Sequence, residues 1–403
     1  MIGCRIAPGP VGVPQGFPAM KKRSDVRFTS LEVGNWRNFG KCAMDLAPRV
    51  FLVGPNASGK SNLLDVFRFL HELVTPGGGL QRATEQRGGV SSLRALHARR
   101  EPEVRIKVKI GSTDKPDQWS YELAFNARRN TPARIITEQV WREGKLLLDR
   151  PDDSDRADAR RLTQTHLEQI SANQAFRPLA DFLTGVSYLH VVPQLIRDPN
   201  RRGTDSTDPL GGDLIQRIAE TPKRTRDARL ERILKGLQVA VPQIETIALT
   251  QDTRGLWHIQ ARYRHWRGHG ALQDEERFSD GTLRLLALLW ALGEPGGPLL
   301  LEEPELSLHP AVVVQLPRLF ARMQRASGRQ AIITTNSESL LREPGIGLNE
   351  VFLLRPAEEG TKVEPASTIQ DIQGLLEGGL PLGEALMPYA APERADELAR
   401  LAL

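Results

Sequence analysis

The chain has 403 residues, a formal charge of +5, 40% hydrophobic and 26% charged residues. That is long enough for two or three lobes with cores of their own, and no apolar run approaches the ~20 residues of a membrane-spanning helix. Two cysteines, Cys4 and Cys42, make neither a disulfide framework nor a metal cluster, which suits a reducing cytoplasm. The positive charge permits contact with nucleic acid without requiring it. In chain order, residues 1–25 come first. They open on a Gly- and Pro-rich stretch to Ala19 with no periodicity and no signal-peptide core, and are expected to be disordered or an over-extended start.

Val26 to Leu46 reads as two short strands around Asn35-Trp36-Arg37-Asn38-Phe39. The apolar run Val50 to Val53 reads as a buried strand. Gly54-Pro55-Asn56-Ala57-Ser58-Gly59-Lys60-Ser61 follows it and matches G-x-x-x-x-G-K-[ST] without a gap. Leu63, Leu64, Phe67, Leu70 and Val74 then recur at helical spacing. Strand, glycine loop and helix are what a phosphate cradle needs. Backbone N–H groups close around the phosphates at a helix N-terminus, Lys60 reaches the β- and γ-phosphates, and the Ser61 hydroxyl holds Mg2+. The plain alternative is a glycine turn with a chance Lys-Ser. Asn62 continues the loop into the helix.

Three strands are predicted next: Val104 to Ile110, Trp119 to Phe125 and Arg134 to Trp141, the first alternating apolar and basic residues. Pro151 to Arg161 is charged and reads as a loop. Leu162 to Leu237 is mainly helical, with a break from Asp198 to Pro209. Ile244 to Ala248 and Leu256 to Tyr263 return to strands. No heptad pattern runs through residues 80–275, which argues against long coiled-coil arms.

Two motifs lie further on. Ser279-Asp280-Gly281-Thr282 opens an apolar helix; alone, it is an ordinary N-cap. Leu299-Leu300-Leu301-Glu302-Glu303-Pro304-Glu305 is an apolar strand ending in acids. Alone, it is a surface turn. Behind a phosphate loop, the first acid can hold Mg2+ through water and the second can orient an attacking water. A last strand, Ala331 to Thr335, ends at Asn336-Ser337.

Taken in this order, Gly54–Ser61, Ser279–Thr282, Leu301–Pro310 and Thr334–Ser337 resemble the ABC-class AAA-family ATPases, the group similar to RecF, SMC and OLD-type proteins. The resemblance spans about residues 26–355. Asn35–Phe39 resembles that family's N-terminal Asn-aromatic-Arg strand, and Leu210-Gly211-Gly212-Asp213-Leu214 its segment before the lid helices. The resemblance implies an α/β P-loop NTPase with an inserted β subdomain and a helical lid. Lobe I would cover 26–150, the lid 151–242, lobe II 243–355, and a tail 356–403. It implies ATP and Mg2+ as cofactors, Arg37 and Asn38 as further nucleotide contacts, Glu302 as metal ligand and Glu303 as catalytic base. Two heads would sandwich ATP as a homodimer or larger assembly, with Ser279 and Gly281 touching the nucleotide of the partner head.

The resemblance also shows departures. Glu302 stands where many relatives have Asp. Asn336 stands where relatives have His against the γ-phosphate; an amide can still donate but cannot become cationic. A hydrogen bond to a charged group is worth ~1.5–3 kcal/mol, so hydrolysis is expected to be slower by roughly 10- to 100-fold. Gln86 is the candidate for the family's Q-loop glutamine. The C-terminus lacks the clustered acids of an OLD-type nuclease. The expected role is therefore a cytoplasmic ATPase switch, without membrane association, that acts on nucleic acid or a separate effector protein in anti-phage defence or DNA repair. The alternative is a nucleotide-gated regulator that scarcely hydrolyses ATP and holds a toxin or nuclease. The helix from Lys223 to Lys235, with Arg226, Arg229, Arg232 and Lys235 three apart, reads first as a solvated face, since Asp227 and Glu231 lie among them. For any DNA contact it is the candidate stripe, with Arg105, Lys107 and Lys109 as second choice.

Overall fold

The computed structural model describes residues 25–95, 103–128, 131–198, 208–264, 271–392 and 397. The expected disordered segment 1–25 lies outside them, apart from Asp25. Fifteen strands form three sheets among the described residues. The central sheet has the order β15-β14-β3-β13-β12-β8. Its strands are β3 (Arg49–Val53), β8 (Ser187–Leu189), β12 (Leu299–Glu302), β13 (Ala331–Thr335), β14 (Val351–Ala357) and β15 (Gly360–Pro365). All run parallel except β15, which returns antiparallel on β14. The middle strands are apolar on both faces, as a parallel sheet covered on both sides requires. Along β3, Val50 and Leu52 enter one core while Phe51 and Val53 enter another, the period of two of a pleated strand.

The first core lies between the central sheet and an antiparallel sheet of order β2-β1-β4-β5-β6-β7. That sheet contains β1 (Arg27–Trp36), β2 (Phe39–Asp45), β4 (Val104–Gly111), β5 (Trp119–Asn126), β6 (Arg134–Arg142) and β7 (Lys145–Arg150). The helix Lys60–Val74 fills this core. Its Phe67 meets Phe28 at 4.8 Å, and its Phe69 meets Trp36 at 5.3 Å and Phe125 at 5.5 Å, centroid to centroid. The second core holds the helix Asp280–Gly293 together with Leu230, Ile233 and Leu237 of the helix Lys223–Ala240. It also takes Ile259 and Ala261 from a small sheet of order β11-β10-β9, made of β9 (Ile244–Gln251), β10 (Trp257–Tyr263) and β11 (Ala271–Asp274).

Residues 151–242, expected as one helical lid, are laid out differently. Leu167, Phe176, Leu179 and Leu183 pack into the first core, β8 joins the edge of the central sheet beside β12, and the helices Leu214–Glu220 and Lys223–Ala240 pack into the second. The apolar faces of these elements dock on the two sheets instead of forming a core of their own. The expected boundary at 355 falls within the β14–β15 hairpin, which pairs through to Ala357 and Gly360.

Candidate functional site

Register places the site. Val53 on β3 lies opposite Thr335 on β13, and Thr334 lies opposite Glu302 on β12. The C-terminal ends of three adjacent parallel strands therefore deliver the P-loop, Glu302-Glu303 and Asn336 to one edge, where ligands bind in open α/β sheets.

The glycine loop is built for close approach. Gly59 has φ 95° and Ala57 φ 63°. A Cβ on Gly59 would fall 2.1 Å from Asn38 Nδ2, and one on Gly54 would fall 2.4 Å from the Leu354 carbonyl. Asn38 Nδ2 donates to the Ser58 carbonyl at 3.1 Å and to Thr361 Oγ1 at 2.6 Å. Thr361 Oγ1 donates to the Ser58 carbonyl at 2.8 Å, and Asn62 Nδ2 donates to Asn38 Oδ1 at 2.7 Å. Asn38 and Asn62, predicted as cofactor contacts, thus spend their amides behind the loop, holding its shape. Arg37 Nη2 donates to Asp65 Oδ2 at 2.9 Å, beside Arg87, which also pairs with Asp65. Thr361 comes from the tail, where the sequence carries no motif.

Lys60 is buried, and its Nζ donates to the carbonyls of Gly54 at 2.8 Å and Pro55 at 3.0 Å. Burial pulls its ammonium below the ordinary range, while Glu303, Glu302 and Glu305 oppose that shift. Ser61 Oγ donates to Glu302 Oε1 at 2.5 Å, and the Tyr188 hydroxyl donates to Glu302 Oε2. Glu303 adopts φ 44°, and its N–H points at Thr334, 3.1 Å from the carbonyl and 3.2 Å from Oγ1. A left-handed glutamate is an uncommon backbone state that tends to occur where function needs it. Asn336 Nδ2 donates to Asn56 Oδ1 at 2.9 Å and reaches Glu303 Oε1 at 3.4 Å. The loop and the second acid are therefore bridged by the residue that departs from the family pattern.

The residues present fit a nucleoside triphosphate with Mg2+. The loop leaves no room for side chains at Gly54 and Gly59, Ser58 Oγ is buried with no partner among the described residues, and a serine hydroxyl faces a carboxylate. Gln86 is exposed at the end of the helix Leu80–Glu85, and its side chain forms no hydrogen bond to this site among the described residues.

Ser279 caps the helix Asp280–Gly293, accepting from Thr282 N at 3.2 Å. A Cβ on Gly281 would fall 2.5 Å from the Ser307 carbonyl, so only glycine fits there. Among the described residues, neither Ser279 nor Gly281 shares a hydrogen bond with Gly54–Ser61. Arg284, one turn on, was not singled out from the sequence. It lines a small cavity with Leu189, Glu302, Glu303 and Pro304, and its Nε is buried with no partner among the described residues.

Glu305 was also missed. Its Oε1 accepts from Thr335 Oγ1 at 2.5 Å, while Oε2 is buried with no partner among the described residues. Burial raises its carboxyl from an ordinary 4.5 to about 7, with the Thr335 hydrogen bond opposing. Because the folded pKa is the higher one, the folded protein holds a proton that the unfolded chain releases. Stability contributed by the neutral acid is thus full below the ordinary value and lost as pH rises through about 7. Ionising this group in place costs on the order of 3 kcal/mol. Glu305→Gln should therefore raise the melting temperature clearly at pH 8 and much less at pH 5. An equal increment at both values would show that Glu305 does not titrate in this window.

The candidate DNA stripe is not a free basic face. Arg229 is buried, with its guanidinium 4.5 Å over the Trp290 ring. Arg226 pairs with Asp227 at 3.2 Å and Lys235 with Glu231 at 3.1 Å. In the second-choice patch, Arg105 pairs with Glu103 and Glu122, and Lys107 lies 3.3 Å from Glu122. No helix among the described residues is long and apolar enough to cross a membrane.

Residues 49–342 match the family described as "AAA domain, putative AbiEii toxin, Type IV TA system". In fold, the chain is similar to an SMC head solved bound to the C-winged helix domain of ScpA, with a TM-score of 0.54 and 16% identity over 85% of this chain and 100% of that one. It also aligns with an SMC head domain from Thermotoga maritima, with a TM-score of 0.44 and 13% identity over 84% of this chain and 98% of that one. An SMC head with an extended coiled coil, bound to the C-terminal domain of ScpA derived from Pyrococcus furiosus, gives a TM-score of 0.49 and 13% identity over 87% and 100%. No curated protein matches the chain. The match of residues 49–342 covers most of the chain, and the protein accordingly belongs to this AAA ATPase family and carries the P-loop head fold of the ABC and SMC class.

Proposed function

We propose that the chain is an ATP-driven switch that closes as a head-to-head dimer and reopens on hydrolysis. The observation that carries this is the split between its motifs. The P-loop, Glu302, Glu303 and Asn336 converge on one edge, whereas Ser279 and Gly281 share no hydrogen bond with the P-loop among the described residues. A second copy would supply the missing signature.

In this reading Lys60 and the loop N–H groups bind the β- and γ-phosphates. Ser61 and Glu302 would hold Mg2+, which when bound supplies positive charge against the phosphate oxygens. Glu303 orients the attacking water and takes its proton. The Asn336 amide, already within reach of Glu303 Oε1 at 3.4 Å, donates toward the γ-phosphate. Asn336 cannot become cationic, so turnover is slow, and holding a partner in the closed state is the second reading. Pairing of Arg226, Lys235, Arg105 and Lys107 with acids, and burial of Arg229, favour a protein effector over direct DNA contact as the output. A role in anti-phage defence or DNA repair, in the cytoplasm, is the setting this device suits.

Mixing two inactive variants tests the shared site. Lys60→Ala disables the cradle and Ser279→Arg the signature. A mixed dimer keeps one intact composite site, so random mixing should restore about a quarter of wild-type turnover. No recovery, with mixed dimers shown to form, would sink the sandwich.

A further inference from the structure

We infer that Tyr188 is a positioning residue for Glu302, and that its hydroxyl is the reason glutamate rather than aspartate suits this place. The inference rests on reading Glu302 as the metal ligand and deepens it. Tyr188 lies on β8, parallel to β12 and level with Leu300, two residues before Glu302. Its hydroxyl donates to Glu302 Oε2, while Ser61 Oγ, at the start of the P-loop helix, donates to Oε1 at 2.5 Å. The carboxylate is therefore held at both oxygens, by two different elements.

The tyrosine is itself fixed. The Arg68 guanidinium, from the same P-loop helix, sits 4.3 Å above its ring. Arg68 in turn lies 4.0 Å from Asp65 Oδ1 and 3.9 Å from Glu72 Oε1. The neighbouring His190 ring has Nδ1 3.3 Å from the Glu302 carbonyl oxygen. An aspartate would pull the carboxylate back by about 1.5 Å, one carbon–carbon bond, too far to keep both contacts. The second hydrogen bond thus fits the longer side chain.

Partners that orient a metal ligand typically tune metal affinity by about 10- to 100-fold. The test is Mg2+ dependence of binding, not turnover. A fluorescent non-hydrolysable ATP analogue is titrated onto the full chain at increasing Mg2+, with thermal melting as the check on folding. Tyr188→Phe keeps the ring under Arg68 and removes only the hydroxyl. It should raise the Mg2+ needed for half-maximal metal-dependent binding about tenfold, and leave binding of the metal-free analogue unchanged. Glu302→Asp, which leaves Tyr188 untouched, should show a similar rise, and the double variant should be no worse than Glu302→Asp alone.

Tyr188→Phe with wild-type Mg2+ dependence would overturn the inference, as would a further tenfold loss in the Glu302→Asp background. Both outcomes leave the ATPase reading standing. A wild-type chain that binds the analogue without regard to Mg2+ would instead overturn Glu302 as metal ligand, and the inference with it.

Discussion

Glu303→Gln should lower ATP turnover by roughly 100-fold or more while leaving nucleotide binding close to wild type. Proton transfer by a placed carboxylate is worth 10²–10⁴ in rate, and glutamine has the shape of the carboxylate but cannot take the proton. Binding survives because the cradle does not depend on Glu303. The loop is shaped by Asn38, Asn62 and Thr361, and Lys60 reaches in from its own helix. The Glu303 backbone should also persist, since its N–H is held at Thr334. With hydrolysis blocked, the proposed dimer should accumulate in ATP and be visible by size-exclusion chromatography with light scattering. Lys60→Ala should differ by losing binding and dimer together. A Glu303→Gln protein that turns over ATP normally would remove Glu303 as the base. One that neither hydrolyses nor dimerises would leave the base assigned and remove the sandwich.

The parts of this site that could be read from sequence are those in which chemistry is packed into a few consecutive residues. Gly54 to Ser61 announces itself because the loop needs glycine where backbone and phosphates approach, and Leu301-Glu302-Glu303 because a buried strand rarely ends in two acids. Their convergence follows from parallel order, which the alternation of strands and helices suggests. The supporting residues were hidden because each arrives from a distant segment. Thr361 reaches the loop across 303 residues of sequence, and Tyr188 reaches Glu302 across 114, without any local pattern. A three-residue strand such as β8 has too few positions to show a period, so Tyr188 fell inside a stretch read as helical.

The layout of the basic stripe was obscured for a different reason. Counting by threes put Arg226, Arg229 and Arg232 together, yet Arg229, Ile233 and Leu237 lie four apart and share the buried row. The guanidinium ends over Trp290 with its stem in the core, as long side chains do when they cover apolar surface.

Arg150→Met should cost about 3–5 kcal/mol of stability, the usual penalty for breaking a buried ion pair by removing one partner, and lower the melting temperature by on the order of 10 °C. Arg150 is fully buried between two fully buried acids. Its Nη1 donates to Glu138 Oε2 at 2.8 Å, and its Nε and Nη2 donate to Asp155 at 2.8 and 2.9 Å. It also donates to the carbonyls of Gln164 and Arg161, both at 3.0 Å. Glu138 accepts from the N–H groups of His166 and Leu167 at 2.9 and 3.1 Å. One guanidinium thus ties β6 and β7 to the irregular segment after residue 150, which leads to β8 and Tyr188. The Arg150 hydrogen bond holds the Asp155 carboxyl well below its ordinary range, while burial raises Glu138 against its hydrogen bonds. Methionine fills similar volume but leaves Glu138 with no ion-pair partner and Asp155 with Arg161 alone, whose Nε lies 3.1 Å from Oδ1, so Glu138 above all is driven to take a proton. The deficit should therefore be largest near pH 8 and shrink toward pH 5, where protonation removes the uncompensated charge. Adding Glu138→Gln and Asp155→Asn should recover much of the loss, because neutral amides are cheaper to bury than charges. A single Arg150→Met variant that melts with the wild type at pH 8 would show that this triad does not anchor the segment.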